Sequence, residues 1–337
     1  MLRFVGGLVC WILCCVPLLA AEGNNASVRA EIVKRVKRLD GEVAFRNNQP
    51  QGPLIEIDLE LCDATDADLR GIGTLSDLES LWLTETKITD AVLPEISGLK
   101  KLKVLSLAST KLTAAGVQSL KGLTQLRELD LSDTKIDDSA LQVIAGLTEL
   151  RSLDISGCSI SDAGFAHLAS LTSLQTLLAA NTQVSDAGLQ AIARLKTLES
   201  LDLAGTQVTD ASLAPLADLK NLTTLDLSDT AIGDPGLEAL SGLNRLRVLN
   251  LSKTRTTDMG LAQLISLANI EELSLDDTMV SDTGMVLLQS LDRLKTLYLR
   301  NTRVTDAGVK SLENKQKNLR VYQARRKRNA PNRAVPF

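Results

Sequence analysis

Four aspartates form two pairs whose members are 24 positions apart: Asp130 with Asp154, and Asp202 with Asp226. Two carboxylates held about 5 Å apart are the catalytic arrangement of a retaining glycosidase. Clustered carboxylates also supply the oxygen ligands that Ca²⁺ prefers. If residues 24 apart lie side by side in the fold, these pairs raise two chemical possibilities, glycan hydrolysis and Ca²⁺ binding.

The remaining inventory of reactive residues argues against both possibilities. His167 is the only histidine and falls between Phe165 and Leu168, far from any candidate nucleophile. The sequence has no CxxC or HExxH motif and no glycine-rich phosphate loop after a strand. Ca²⁺ needs about six to eight oxygen ligands around one point, more than a carboxylate pair supplies. We therefore predict a protein that is not an enzyme and holds no metal or cofactor, with glycan hydrolysis as the disfavoured alternative.

The elements that must position these aspartates belong to a 24-residue repeat. The frame Leu-x-x-Leu-x-Leu-x-x-Thr-x-Ile-Thr-Asp-x-Gly-Leu-x-x-Leu-x-x-Leu recurs eleven times without insertion or deletion. Its copies begin at Leu54, Leu78, Leu102, Leu126, Leu150, Leu174, Leu198, Leu222, Leu246, Ile270 and Leu294. So strict a period predicts a stack of equivalent structural units.

This frame resembles the leucine-rich-repeat family over residues 54 to 312. Its second half, Thr-Gln-Val-Thr-Asp-Ala-Ser-Leu at 206 to 213, is similar to the cysteine-containing subtype and its bacterial secreted relatives. Cys62 and Cys158 occupy the cysteine position of that subtype, and the other nine copies have Thr there. The resemblance implies an α/β fold, a right-handed solenoid or horseshoe with a parallel concave sheet and short convex helices. Eukaryotic members of the subtype often carry an F-box, and residues 22 to 53 are too few to form one.

Elementary physical chemistry leads to the same architecture. Apolar and variable residues alternate at the start of each copy, so the fourth and sixth positions point inward and the third, fifth and seventh face solvent. Stacked strands about 4.8 Å apart give every backbone donor a neighbour. The ninth-position Thr should point inward and bond to loop backbone groups. Apolar positions 16, 19 and 22 predict a short helix, with the preceding Asp, such as Asp258, as its N-cap. Pro94 and Pro215 predict shorter or 3₁₀ elements in their copies.

The two ends of the chain differ from the repeats. Residues 1 to 21 have the order of a signal peptide: Arg3, an apolar run, then Leu19-Ala20-Ala21 as a cleavage site. We predict an exported protein, periplasmic, cell-surface or extracellular, without a transmembrane span in the mature chain; an uncleaved anchor is the alternative. Residues 22–53 are predicted as an N-terminal cap, 54–317 as the eleven-repeat solenoid, and 318–337 as a partial C-terminal cap with a basic tail.

Two cysteines remain after the predicted cleavage, Cys62 and Cys158. Four repeats separate them, about 19 Å at the strand spacing, which is too far for a disulfide bond. We predict that both are buried, inert thiols.

The solvent-facing strand positions are the most informative surface. Residues 54 to 312 contain 22 Lys and Arg against 36 Asp and Glu, whereas residues 313 to 337 contain eight basic residues and one acid. At the third, fifth and seventh positions, ten acids face one base, Arg300. Trp82 and Tyr298 share this face, and aromatic residues are typical anchors of interfaces.

We therefore predict a protein-binding scaffold whose partner is a basic protein or peptide, with no nucleic acid expected. The predicted contact residues are Trp82, Asp130, Asp154, Asp202, Asp226 and Tyr298. Two alternatives stay open: an acidic face that serves solubility only, in a protein with an adhesion or structural envelope role, or a relative of the F-box adaptors.

Overall fold

The computed structural model describes residues 26–323. The predicted signal peptide and the basic run that starts at Arg325 lie outside this range. The chain divides into two compact units, one up to Gln183 and one from Val184 onward. In the described range, no helix is both long enough and apolar enough to cross a membrane.

The first unit opens with a helix and an antiparallel strand pair. Helix α1 spans residues 26–38 and buries Ile32 and Val36. Strand β1 pairs antiparallel with β2, and each later strand pairs parallel with the one before it. The strands of this unit are β1 (Glu42–Phe45), β2 (Leu54–Asp58), β3 (Ser80–Trp82), β4 (Val104–Ser106), β5 (Glu128–Asp130), β6 (Ser152–Asp154) and β7 (Thr176–Leu178).

The second unit continues the same construction with parallel strands in chain order. Its strands are β8 (Ser200–Asp202), β9 (Thr224–Asp226), β10 (Val248–Asn250), β11 (Glu272–Ser274), β12 (Thr296–Tyr298) and β13 (Arg320–Tyr322). Residues that pair across neighbouring strands from β2 onward are 24 apart in sequence, so each repeat contributes one strand.

Short helices connect the strands. The α-helices after α1 are α2 (Leu93–Ile96), α3 (Ala114–Val117), α4 (Asp138–Ile144), α5 (Asp162–Phe165), α6 (Asp186–Ile192), α7 (Asp234–Leu237), α8 (Asp258–Leu264), α9 (Asp282–Leu288) and α10 (Asp306–Lys315). The 3₁₀ helices are Arg46–Asn48, Ile72–Thr74, Asp90–Val92, Gln118–Gly122, Ala166–Ser170, Asp210–Ser212, Ala214–Asp218 and Glu238–Leu240. As predicted, the copy with Pro94 has an α-helix of only four residues, and the copy with Pro215 has 3₁₀ helices in place of an α-helix.

The core of each unit is a set of stacked leucine rows. Inward fourth-position side chains such as Leu153 and Leu201 have no exposed surface. The ninth-position threonines are buried as predicted, and each hydroxyl donates to the backbone carbonyl three residues earlier, as Thr206 Oγ1 does to Leu203 O at 2.6 Å. The hydroxyl thereby satisfies a carbonyl at the strand exit that burial would otherwise leave unpaired. These threonines therefore have a structural role.

The prediction that the thirteenth-position Asp of the repeat frame is the helix N-cap is wrong by one residue. In α8 the cap is Thr257, whose hydroxyl accepts the Met259 N–H, and Asp258 is the first helical residue. The Asp258 carboxylate instead reaches the next repeat, where it accepts the N–H and the hydroxyl of Ser281 at 2.8 and 2.5 Å. Gly284 leaves room for it, since a Cβ there would lie 2.5 Å from Asp258 Oδ1. The aligned aspartates therefore join one repeat to the next.

This connection recurs along both units. In the first unit it joins Asp66 to Thr89, Asp90 to Thr113 and Asp138 to Ser161. In the second unit it joins Asp186 to Thr209, Asp210 to Gly233, Asp234 to Thr257, Asp258 to Ser281 and Asp282 to Thr305.

Candidate functional site

The strand face, meaning the solvent-facing third, fifth and seventh positions of the repeats, holds the first predicted pair in the first unit. Asp130 on β5 and Asp154 on β6 are direct register partners, as their 24-residue spacing predicts. Asp130 Oδ1 accepts the N–H and the hydroxyl of Ser132 at 3.0 and 2.7 Å, and its Oδ2 accepts the Ser106 hydroxyl at 3.2 Å. Asp154 Oδ1 accepts the Ser156 N–H at 2.8 Å. Both carboxylates are thus held in fixed orientations at the end of their strands.

Each of these carboxylates closes a local turn. After the strand, the eighth position of each repeat has a positive φ, for example 53° at Asp133 and 70° at Gly157. The fifth-position Asp accepts a hydrogen bond from the N–H two residues on and so stabilises this turn. Asn250 makes the same bond with its side-chain oxygen, to Ser252 N–H. The hydrogen bond therefore needs a side-chain oxygen at the fifth position and does not need a negative charge.

The negative charges of the first pair oppose each other. The pKa of Asp154 is raised, first by burial and then by the charges of Asp130 and Asp133, although the hydrogen bond from Ser156 lowers it. Like charges on directly opposed strand positions destabilise a sheet. A cationic group bound at this place would relieve the repulsion.

The second unit repeats the arrangement with Asp202 on β8 and Asp226 on β9, which are also register partners. Asp202 Oδ1 accepts the Ala204 N–H at 2.8 Å. Asp226 accepts the Ser228 N–H and the Asn250 amide, both at 2.8 Å. The register partner of Asp226 on the next strand, β10, is the neutral Asn250, so no third acid follows the pair.

The aromatic residues lie on the same strand face. Trp82 on β3 is half-buried in the first unit and pairs in register with Ser106. In the second unit, Tyr298 on β12 stacks on Tyr322 of β13, with ring centroids 4.9 Å apart. Arg300 lies 6.0 Å from the Tyr298 ring centre, and its Nε is 3.7 Å from Asp276 Oδ2. Burial and the nearby Glu272 charge raise the pKa of Tyr298.

Tyr322 is a surface residue that sequence reasoning missed. It falls 24 positions after Tyr298, at the fifth position of an incomplete twelfth copy of the frame. Extending the frame one step beyond its last leucines would have found it. Tyr322 is 44% exposed, so the stacked pair presents a larger aromatic surface than Tyr298 alone.

Reactive groups outside the strand face offer little chemistry. His167 is exposed on the 3₁₀ helix Ala166–Ser170. Between residues 26 and 323, no group of three or more His, Cys, Asp or Glu side chains is arranged to hold a metal ion. Cys158 is buried as predicted, whereas Cys62 is half-buried, which corrects the prediction for that residue. Burial raises the pKa of both thiols, which disfavours the reactive thiolate.

Comparison with known families agrees with this geometry. The family model described as "Leucine-rich repeat region" matches residues 54–214, and the one described as "Leucine rich repeat" matches residues 196–255. The chain is a leucine-rich-repeat protein. Each of its units is accordingly an α/β leucine-rich-repeat solenoid with one strand per repeat. A comparison with curated proteins finds no match.

Solved leucine-rich-repeat structures resemble the chain over most of its length. An internalin (inlF) from Listeria monocytogenes is 27% identical, with a TM-score of 0.55, and covers 79% of this chain and 86% of its own. The Leptospira interrogans LRR protein LIC12759 is 21% identical, with a TM-score of 0.55, and covers 74% and 73%. A TDR receptor is 19% identical, with a TM-score of 0.57, and covers 80% and 56%. The last two likenesses concern the fold alone. Leucine-rich-repeat proteins are protein-interaction scaffolds.

Proposed function

We propose that this protein binds a basic protein or peptide on its strand face and catalyses no reaction. The observation that carries the proposal is the side-by-side placement of Asp130 with Asp154 and of Asp202 with Asp226. Such pairs weaken the sheet in the free protein, and a bound Lys or Arg side chain offsets that cost.

The aromatic residues give the proposed surface its anchors. Trp82 in the first unit and Tyr298 in the second are large side chains held on strands, so little conformational entropy is lost when a partner covers them. The acids around them steer a cationic partner toward the surface. The proposed contact residues are thus the four paired aspartates, Trp82 and Tyr298.

We also propose that the chain is cleaved after Ala21 and exported to the periplasm, cell surface or extracellular space. Residues 22–53 then cap the repeats at 54–317, and residues 318–337 form a partial cap with the basic tail. The intact mass of the native protein tests the export step. A mature chain beginning at Glu22 supports it, and a retained Met1 with tight membrane association contradicts it.

A bait comparison tests the proposed function. Three proteins are immobilised and exposed to the native envelope fraction. They are the parent, a fourfold variant with Asn at positions 130, 154, 202 and 226, and the control variant Asp292→Asn. Asn keeps the side-chain oxygen that closes each turn, and Asp292 is an exposed acid that lies off the strand face. We expect one basic partner to be retained by the parent and the control and lost by the fourfold variant. Equal capture by all three would exclude the paired aspartates as the binding residues.

A further inference from the structure

A row of mostly charged residues runs along the edge where the strands begin, at the second position of the repeats, with Ile55, Gln175 and Thr223 as its uncharged members. In the second unit the charges alternate: Glu271 accepts hydrogen bonds from Arg247 Nε at 2.8 Å and from Lys295 Nζ at 2.6 Å. In the first unit Glu79 is paired to Lys103 of the same row and to Arg46, which precedes the repeats. At these places each base of the row is paired with an acid.

Arg127 and Arg151 occupy the second position in the two repeats that follow Lys103. They are neighbours, since Arg151 N–H donates to the Arg127 carbonyl at 2.8 Å. Both side chains are exposed, and within residues 26–323 neither guanidinium has an ion-pair or hydrogen-bond partner. Two like charges therefore lie in neighbouring repeats, and neither forms an ion pair. An acid does lie nearby, because Glu149 and Arg127 line the same open groove of about 440 Å³ with Lys103, Thr124, Gln125 and Thr148.

These arginines precede the same two strands that carry the paired aspartates. Arg127 comes directly before β5, which ends in Asp130, and Arg151 directly before β6, which ends in Asp154. Two residues lie between each Arg and its Asp, so their Cα atoms are three steps, or about 10 Å, apart. In the second unit, a groove is lined by second-position residues Arg247 and Glu271 together with strand-face residues Thr224 and Glu272, so this edge borders the strand face. Strands β5 and β6 thus have a positive pair directly before them and a negative pair at their ends.

We infer that the first unit binds a peptide segment of mixed charge, with an acidic pair on Arg127 and Arg151 and a basic pair on Asp130 and Asp154. This inference rests on the proposed function and adds an acidic feature to the basic partner. The planar guanidinium groups match carboxylates with two parallel hydrogen bonds. A uniformly anionic chain such as a sulfated glycan fits less well, because Glu128, Asp130 and Asp154 on the same strands repel it. In an extended peptide, the two charged pairs are about three residues apart.

The test uses fluorescein-labelled twelve-residue peptides and the full mature chain at low salt, followed by fluorescence polarisation. The mixed peptide has Glu-Glu and Lys-Lys separated by two neutral residues, and it is made in both orders. One control peptide replaces Glu-Glu with Gln-Gln, and another replaces Lys-Lys with Gln-Gln. One protein variant combines Arg127→Gln and Arg151→Gln. The matched control is Arg293→Gln, which changes an exposed arginine elsewhere in the chain.

We expect one order of the mixed peptide to bind about tenfold more tightly than the peptide that keeps only Lys-Lys, as two exposed ion pairs allow. The double arginine variant should lose this gain, and Arg293→Gln should keep it. If the Lys-Lys peptide binds as tightly as both mixed peptides, the inference is overturned while the proposed function stands. If no peptide binds, both fail. Arginine-dependent binding of heparin, without a gain for either mixed peptide, would make the edge a glycan site and overturn the peptide assignment.

Discussion

At the scale of single residues, the fifth-position aspartates combine a structural and an electrostatic role. Their Oδ1 atoms close the turn after the strand, as Asp154 does with the Ser156 N–H and Asp202 with the Ala204 N–H. Their charges meet across adjacent strands. Asn preserves the first role and removes the second, so substitution to Asn isolates the charge.

Asp154→Asn should stabilise the free protein at neutral pH. The folded-state pKa of Asp154 is raised, so its favourable contribution is complete below the unfolded pKa, near 3.9, and is lost as pH rises through the folded value. The variant should unfold with a free energy higher than the parent by roughly 0.5 kcal/mol at pH 7 and equal to it near pH 3. Urea unfolding at both pH values measures this. Asp292→Asn serves as the control, and a pH-independent difference for Asp154→Asn would contradict the charge argument.

Residue types alone could predict only part of the site. The 24-residue spacing correctly predicts that Asp130 lies beside Asp154, because the register follows from the repeat. The same spacing places Tyr322 beside Tyr298, but the eleven complete copies of the frame end before Tyr322, so the stacked pair was missed. The spacing could not predict the exposure of Cys62, whose repeat adjoins an N-terminal segment outside the frame.

At the scale of secondary-structure elements, the repeats are joined by the carboxylate at the first helical residue. Asp258 accepts three hydrogen bonds from the next repeat, from Ser281 N–H, the Ser281 hydroxyl and Gly284 N–H. Sequence indicated a helix start here but placed the cap one residue late, because Thr and Asp are both good N-caps. Thr257 is the cap because the Asp258 carboxylate bonds to the neighbouring repeat, and the sequence of a single repeat does not reveal that bond.

Asp258→Ala should therefore cost much more stability than Asp306→Ala. Both residues begin a helix, so both substitutions lose the favourable interaction with the helix dipole. In the described part of the chain, the Asp306 carboxylate accepts no hydrogen bond from another repeat. The difference between the two variants should be about 2 kcal/mol in the free energy of unfolding, because hydrogen bonds from part-buried donors to a charged carboxylate are lost only in the first. Similar losses in chemical denaturation would argue against the inter-repeat connection.

At the scale of the whole molecule, the fold is predicted by the repeat period. Each core leucine row is built from equivalent positions, as in Leu201, Leu225 and Leu249. The partner is not predicted in the same way, because the solvent-facing positions vary freely from copy to copy without loss of the core.

Deletion of one whole repeat, Leu198 to Asn221, should leave a folded protein, whereas deletion of Leu198 to Thr209 should not. The first deletion rejoins equivalent positions of the frame, and the second joins a strand start to a helix and exposes core leucines. Circular dichroism and urea unfolding distinguish the outcomes. Equal loss of cooperative unfolding in the two deletion variants would contradict independent, interchangeable repeats.

The most direct test of the binding surface is surface plasmon resonance against the captured partner at two salt concentrations. Asp154→Asn and Asp202→Asn should mainly slow association and weaken its salt dependence, since exposed charges act through a screened field. Trp82→Ala should mainly speed dissociation and lower affinity about thirtyfold, a loss of about 2 kcal/mol. If these three variants bind like the parent while His167→Ala, away from the strand face, weakens binding, the partner does not bind on the strand face.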